Sequence, residues 1–126
     1  MLKNQETMIA AETELSKFFT LLKENNYELM KMPRCIVDNY WHMLLKSPDE
    51  YNEFCVRYAG SHIDHVKNSG FGKIDWFNDY EDKYGRLPKE WFTNEEGVVD
   101  VEKYAEYLNS GEVKMQWDCV PIITTP

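Results

Sequence analysis

The chain has 126 residues, 43% of them hydrophobic, 14% aromatic and 29% charged, a composition that folds into one ordinary globular domain rather than a disordered or fibrous chain. Its 14 Lys and Arg against 22 Asp and Glu give a formal net charge of -8, which repels phosphate backbones and anionic lipid and so argues against nucleic-acid and membrane partners.

The first segment sets Met8, Ala11, Leu15, Phe18, Phe19 and Leu22 at three- and four-residue intervals, the spacing of an amphipathic helix. That helix is predicted to stop near Asn25-Asn26, since asparagine tolerates the left-handed backbone that ends helices. Before it, Met1 to Glu6 lack the uninterrupted apolar stretch of a leader segment, and a cytoplasmic location is expected. After Pro33, the set Ile36, Val37, Tyr40, Trp41, Leu44 and Leu45 predicts a second helix with Trp41 in the core. Ser47-Pro48-Asp49-Glu50 then reads as a capping box with proline at the first helical position, opening a third helix that Gly60 can end. The short turn between the second and third helices predicts a helical hairpin at the centre of the fold.

Asn68-Ser69-Gly70-Phe71-Gly72 has the composition of a loop. Beyond it, Asp75 to Tyr84 reads as a short helix, and Asp100 caps another over Val101 to Asn109, with Gly111 beyond its end. Short aromatic or β-branched runs at Glu90–Thr93, Gly97–Val99 and Val113–Trp117 predict at most a small hairpin near the C-terminus. The expected fold is therefore mainly α, a single domain over residues 1–126 with a minor C-terminal β element.

Chemistry-bearing residues are few. His62 and His65 stand three apart, His42 lies on the preceding hairpin arm and Cys55 on the next. Together they offer the imidazole and thiolate donors that suit zinc, with Asp38 or Asp64 able to orient an imidazole. The plainer reading of the same residues is a core-edge histidine with hydrogen-bonded partners and a buried free cysteine. A nucleophilic pair of Cys55 with His65 or His42 would need a lowered thiol pKa and partial exposure, and Gly70-Phe71-Gly72 lacks the third glycine and following lysine of a phosphate-cradling loop. The three cysteines, 35, 55 and 119, are too scattered for a disulfide framework.

Charge is uneven. Residues 1–63 carry seven basic and nine acidic side chains, whereas 64–126 carry seven and thirteen. In the acidic half, carboxylates including Asp79, Glu81, Asp82, Glu95 and Glu96 interleave with rings such as Trp91, a mixture that can steer and anchor a basic protein. The leading functional expectation is an acidic cytoplasmic protein-binding module without a cofactor, of the kind that inhibits a basic toxin or nuclease as an immunity protein does. The alternative is a zinc-binding protein using His42, Cys55, His62 and His65.

The run Asp38-Asn39-Tyr40-Trp41-His42, with Phe54-Cys55 and Gly60-Ser61-His62-Ile63-Asp64-His65, resembles bacterial small proteins related to the glycine-rich-domain-containing family. The likeness is clearest over 38–65 and is echoed in Tyr84–Pro88 and Trp117–Cys119. It marks Trp41, His42, Phe54, Cys55 and His65 and implies a shared local arrangement around His42, Cys55 and His65. Leu44 stands where some relatives have a second histidine, and Asp64 separates what is elsewhere a His-His pair.

Overall fold

A computed structural model describes residues 5–123; Met1 to Asn4, most of the stretch read above for a leader, lie outside the described residues. Five helices and three strands follow in the order α1 (Gln5–Glu24), β1 (Met32–Pro33), α2 (Ile36–Leu44), α3 (Pro48–Ala59), β2 (Ile63–Lys73), α4 (Phe77–Tyr84), α5 (Val101–Ser110) and β3 (Lys114–Ile123). A 3-10 turn over Lys89–Phe92 links α4 to α5. Among the described residues no helix is long and apolar enough to cross a membrane.

Helix ends follow local chemistry closely. α1 stops where Asn26 and then Tyr27 take positive φ values of 58° and 61°. The tyrosine, a residue that rarely adopts this backbone, is held there by a hydroxyl that donates to the Ala59 carbonyl at 2.7 Å. α3 begins at Pro48 and ends on Gly60 in the left-handed region, but Ser47 makes no side-chain cap hydrogen bond, so the expected capping box does not close. α5 is capped as its sequence indicates: the Asp100 carboxylate accepts from the Lys103 amide at 3.1 Å, and Gly111 ends the helix with φ 77°.

The sheet corrects the expected fold class. β2 and β3, 11 and 10 residues long, pair antiparallel from Ile63↔Ile123 to Lys73↔Lys114, and β1 adds to the far side of β3 in the order β1-β3-β2. The protein is mixed α/β, not mainly α. Its β element is no local C-terminal hairpin, since β3 pairs with chain some fifty residues earlier. The expected loop at 68–72 is part of β2. Its glycines serve close approach rather than turning: a Cβ on Gly70 would lie 2.3 Å from Cζ2 of Trp117, so the indole can lie over the strand only where no side chain stands. Of the other β candidates, Glu90–Thr93 falls largely in the 3-10 turn, and Thr93 and Val99 form a single bridge.

The elements meet in one aromatic core. Phe18 of α1 packs edge-on to Trp76 at 5.0 Å, Trp76 to Trp91 at 4.9 Å, and Phe19 to Trp41 at 5.5 Å between ring centroids, geometry that suits aromatic quadrupoles. Two polar networks pin this core. Glu14, 5% exposed, accepts hydrogen bonds from the Tyr80 hydroxyl at 2.5 Å, the Trp91 indole at 2.9 Å and Lys17 at 3.1 Å, which ties α1 to α4 and the 3-10 turn. Nearer the sheet, the Trp41 indole donates to the Tyr51 hydroxyl at 3.0 Å, and that hydroxyl donates to the Ile63 carbonyl. This relay fixes α2, α3 and the start of β2 to one another, and it is there that His42 and His65 meet.

Candidate metal centre

Three elements converge on one carboxylate. Asp38 and His42 sit one turn apart on α2, the spacing that places two side chains side by side on a helix. His65 comes from β2 and Cys119 from β3. In the ladder His65 faces Pro121 and Lys67 faces Cys119, so His65 and Cys119 are diagonal cross-strand neighbours. The His65 ring is clasped by aromatic edges, 4.6 Å from Trp41 and 4.4 Å from His42 between centroids.

Polar contacts within this group divide between the two oxygens of Asp38, itself 8% exposed. Oδ1 accepts from the Cys119 thiol at 3.1 Å and lies 3.5 Å from His65 Nε2; Oδ2 lies 3.4 Å from His42 Nε2. Burial pushes the Cys119 thiol far up from its ordinary value, and the negative charge of Asp38 and its hydrogen bond add to the effect. Without a cation nearby, Cys119 is a neutral S–H donor. His65 Nε2 is buried and makes no hydrogen bond, a costly state for an imidazole nitrogen whose lone pair or proton is shut away from water.

His65, Asp38 and Cys119 each offer one ligand atom to this group, and the three atoms all lie within 4.8 Å of one another. Around a tetrahedral zinc ion, with bonds of about 2.0–2.1 Å to N and O and about 2.3 Å to S, an N–O donor pair stands roughly 3.3–3.4 Å apart and a pair that includes S roughly 3.5–3.6 Å apart. The 3.5 Å between His65 Nε2 and Oδ1 is close to its edge, the 3.1 Å between Cys119 Sγ and Oδ1 is shorter than its own and would open as the ion entered, and the donor set of thiolate, imidazole and carboxylate is one that zinc accepts. The group opens on a cleft of about 490 Å³ lined by Arg34, Asp38, His42, His65, Lys67, Ser69 and Asp118. At its mouth Arg34 grips Asp118 with two hydrogen bonds of 2.6 and 3.0 Å. This grip holds the Asp118 carboxyl below its usual range, with smaller help from the charges of His42 and Lys67.

Of the four ligands expected from sequence, the structure brings together only His42 and His65. His62 lies apart, half-exposed, with Nδ1 3.0 Å from Asn52 and Nε2 3.8 Å from Asp64. It misses the cluster because 63–73 is extended, so the i, i+3 spacing does not align it with His65. Cys55 is fully buried on α3 beside Tyr51 and the Ile63 backbone, and burial raises its thiol pKa; Cys35, also buried, is pushed up to about 12. These are the surroundings of packed thiols, opposite to those that activate a nucleophile. Cys119 is the member of the group that sequence reasoning missed: the expected strand 113–117 ends two residues short of it, whereas β3 runs on to Ile123. Asp38 was legible only as a carboxylate near His42.

The residues expected to meet a basic partner are dispersed in role. Trp91 is fully buried and bonded to Glu14, so it is a core residue and no surface anchor. Glu81 binds Arg86 and the Tyr107 hydroxyl, and Asp79 accepts from Asn25. Asp82, Glu95 and Glu96 are exposed.

Neither a curated protein nor a solved structure matches the chain. One family model does, that described as UCP032817-like, over residues 2–80. Asp38, His42 and His65 fall inside the matched segment and Cys119 beyond it. Because the match takes in more than half of the 126 residues, the chain belongs to the UCP032817-like family.

Proposed function

We propose that this protein binds one divalent transition-metal ion, zinc by its donor set, through Asp38 Oδ1, His65 Nε2 and Cys119 Sγ. The observation that carries the reading is the buried, unbonded His65 Nε2, 3.5 Å from Asp38 Oδ1, in a group where His65, Asp38 and Cys119 each bring one ligand atom within 4.8 Å of the others. A cation there would satisfy the orphaned nitrogen and take the thiolate in place of the S–H donor. It would also join α2 to both long strands. His42, on the other oxygen of Asp38 at 3.4 Å, then orients the carboxylate as an outer partner. Thiolate ligation requires reduced cysteine, consistent with the cytoplasmic location expected from the sequence and with three free thiols.

A basic protein partner, and with it an immunity-type inhibitor role, keeps the support of the -8 charge. It loses four of the rings that could have anchored a partner, since Trp91, Trp76, Tyr80 and Tyr107 are all buried. The metal reading therefore leads.

Competition between the metal-free protein and a chromophoric chelator for zinc tests it. The expected result is one ion per chain, with Asp38→Asn, His65→Gln and Cys119→Ser each weakening binding roughly 10- to 100-fold or more, while His62→Gln leaves it unchanged. Absence of stoichiometric binding, or equal affinity in all four variants, would remove the reading.

A further inference from the structure

Resting on the metal reading, we infer that the centre is of the open kind: three protein ligands hold the ion from below, and its fourth position faces the cleft, where it takes a small anionic ligand in exchange for water. Three features lead there. The first is the ligand count. His42 is the only other histidine nearby, and its Nε2 lies 3.4 Å from Oδ2 of Asp38, whereas the three convergent donors meet at Oδ1. His42 is thus occupied with the far side of the carboxylate. Three ligands with a vacancy are the pattern of zinc sites that exchange ligands, while closed structural sites use four.

The second feature is access. Asp38, His42 and His65 all line the cleft of about 490 Å³, enough for several water molecules or a small anion. Cys119, 1% exposed, closes the buried side, and the cleft is the space that Asp38 and His65 line together.

The third is a distortion of β2 at the cleft. Register shifts between Lys67 and Gly70, so Asn68 and Ser69 together stand against Asp118 alone. A bulge of this kind bends a strand and re-aims its side chains. Here Lys67 and Ser69 both line the cleft, and Lys67 is exposed. An ammonium and a hydroxyl beside the vacant position favour an anion. Arg34 contributes less, because Asp118 already holds its guanidinium.

Cobalt(II) replaces zinc with its d–d absorption as the readout, and azide is the anion probe. Loaded protein is expected to show a thiolate-to-cobalt band that Cys119→Ser abolishes. Azide is expected to shift the d–d bands saturably, with Lys67→Ala weakening the azide effect several-fold at unchanged cobalt stoichiometry. His42→Gln should weaken cobalt binding, because the carboxylate loses its outer partner, yet at saturating cobalt still hold one ion with the same number of donors and respond to azide. Cobalt bound with bands indifferent to azide would overturn the open position while leaving the metal reading intact, and so would loss of the azide response in His42→Gln with bands showing one donor fewer. Failure to bind cobalt or zinc at all would instead overturn the metal reading itself.

Discussion

A carboxylate 5% exposed must be surrounded by donors, and Glu14 has three of them from three parts of the chain. Truncating it would strip the Tyr80 hydroxyl and the Trp91 indole of their acceptor and leave both buried donors without one. Glu14→Ala is expected to cost about 3 kcal/mol or more in urea unfolding followed by tryptophan fluorescence. Glu14→Gln keeps an acceptor oxygen and loses mainly the Lys17 pair, so its cost should be about 1 kcal/mol; equal losses for the two variants would contradict this division. Nothing in the local sequence distinguishes Glu14 from the exposed Glu12, because its partners lie 66 and 77 residues away. Asp38 and Cys119 share that limitation, being 81 residues apart. His42 and His65 were visible as candidates because histidine is rare in this chain, not because their meeting could be foreseen.

Among the elements, the helices were legible and the long strands were not, for a physical reason. Helical order is written in contacts three and four residues apart and in end caps, so α3 and α5 could be bounded nearly to the residue, and α1 at its C-terminal end. Strands β2 and β3 depend on partners that a local pattern does not reveal. β2 also carries Asn68, Ser69, Gly70 and Gly72, which locally signal a turn. Two helix caps that look alike in sequence are expected to differ in energy: Asp100→Ala should cost about 1 kcal/mol, since its carboxylate accepts from Lys103 N, whereas Ser47→Ala should be nearly silent because Ser47 makes no side-chain cap bond. Denaturant midpoints of the two variants decide this, and a larger loss for Ser47 would refute it. In the sheet, Gly70→Ala must displace the Trp117 ring, whose nearest atom would stand 2.3 Å from the new Cβ. That ring is also bonded to Asn68 at 3.1 Å and lies under the Lys31 ammonium at 4.6 Å. A loss of about 1–3 kcal/mol is expected, with a changed Trp117 emission; wild-type stability and emission would mean that the indole does not lie over Gly70.

Across the whole molecule, the proposed ion bridges a helix to the two long strands that sequence reading left unpaired, so its removal should be felt in global stability. At a free zinc concentration 100-fold above Kd, binding adds about 2.7 kcal/mol to unfolding, which for a chain of 126 residues corresponds to roughly 10 °C in Tm. Calorimetry of metal-free and zinc-loaded protein should show that increment, and His65→Gln should abolish it; an identical shift in His65→Gln would place the ion elsewhere. The -8 charge and the aromatic content are legible as amounts, yet their placement is open to two interpretations in the sequence; of the four tryptophans all but Trp117 are buried, while Phe71 is exposed.

The most direct measurement is zinc K-edge X-ray absorption on protein loaded with one equivalent of zinc. The account predicts a first shell of one sulfur at about 2.3 Å and three nitrogen or oxygen neighbours at about 2.0–2.1 Å, the sulfur vanishing in Cys119→Ser. A shell of oxygens alone, or a sulfur that persists in that variant, would contradict it.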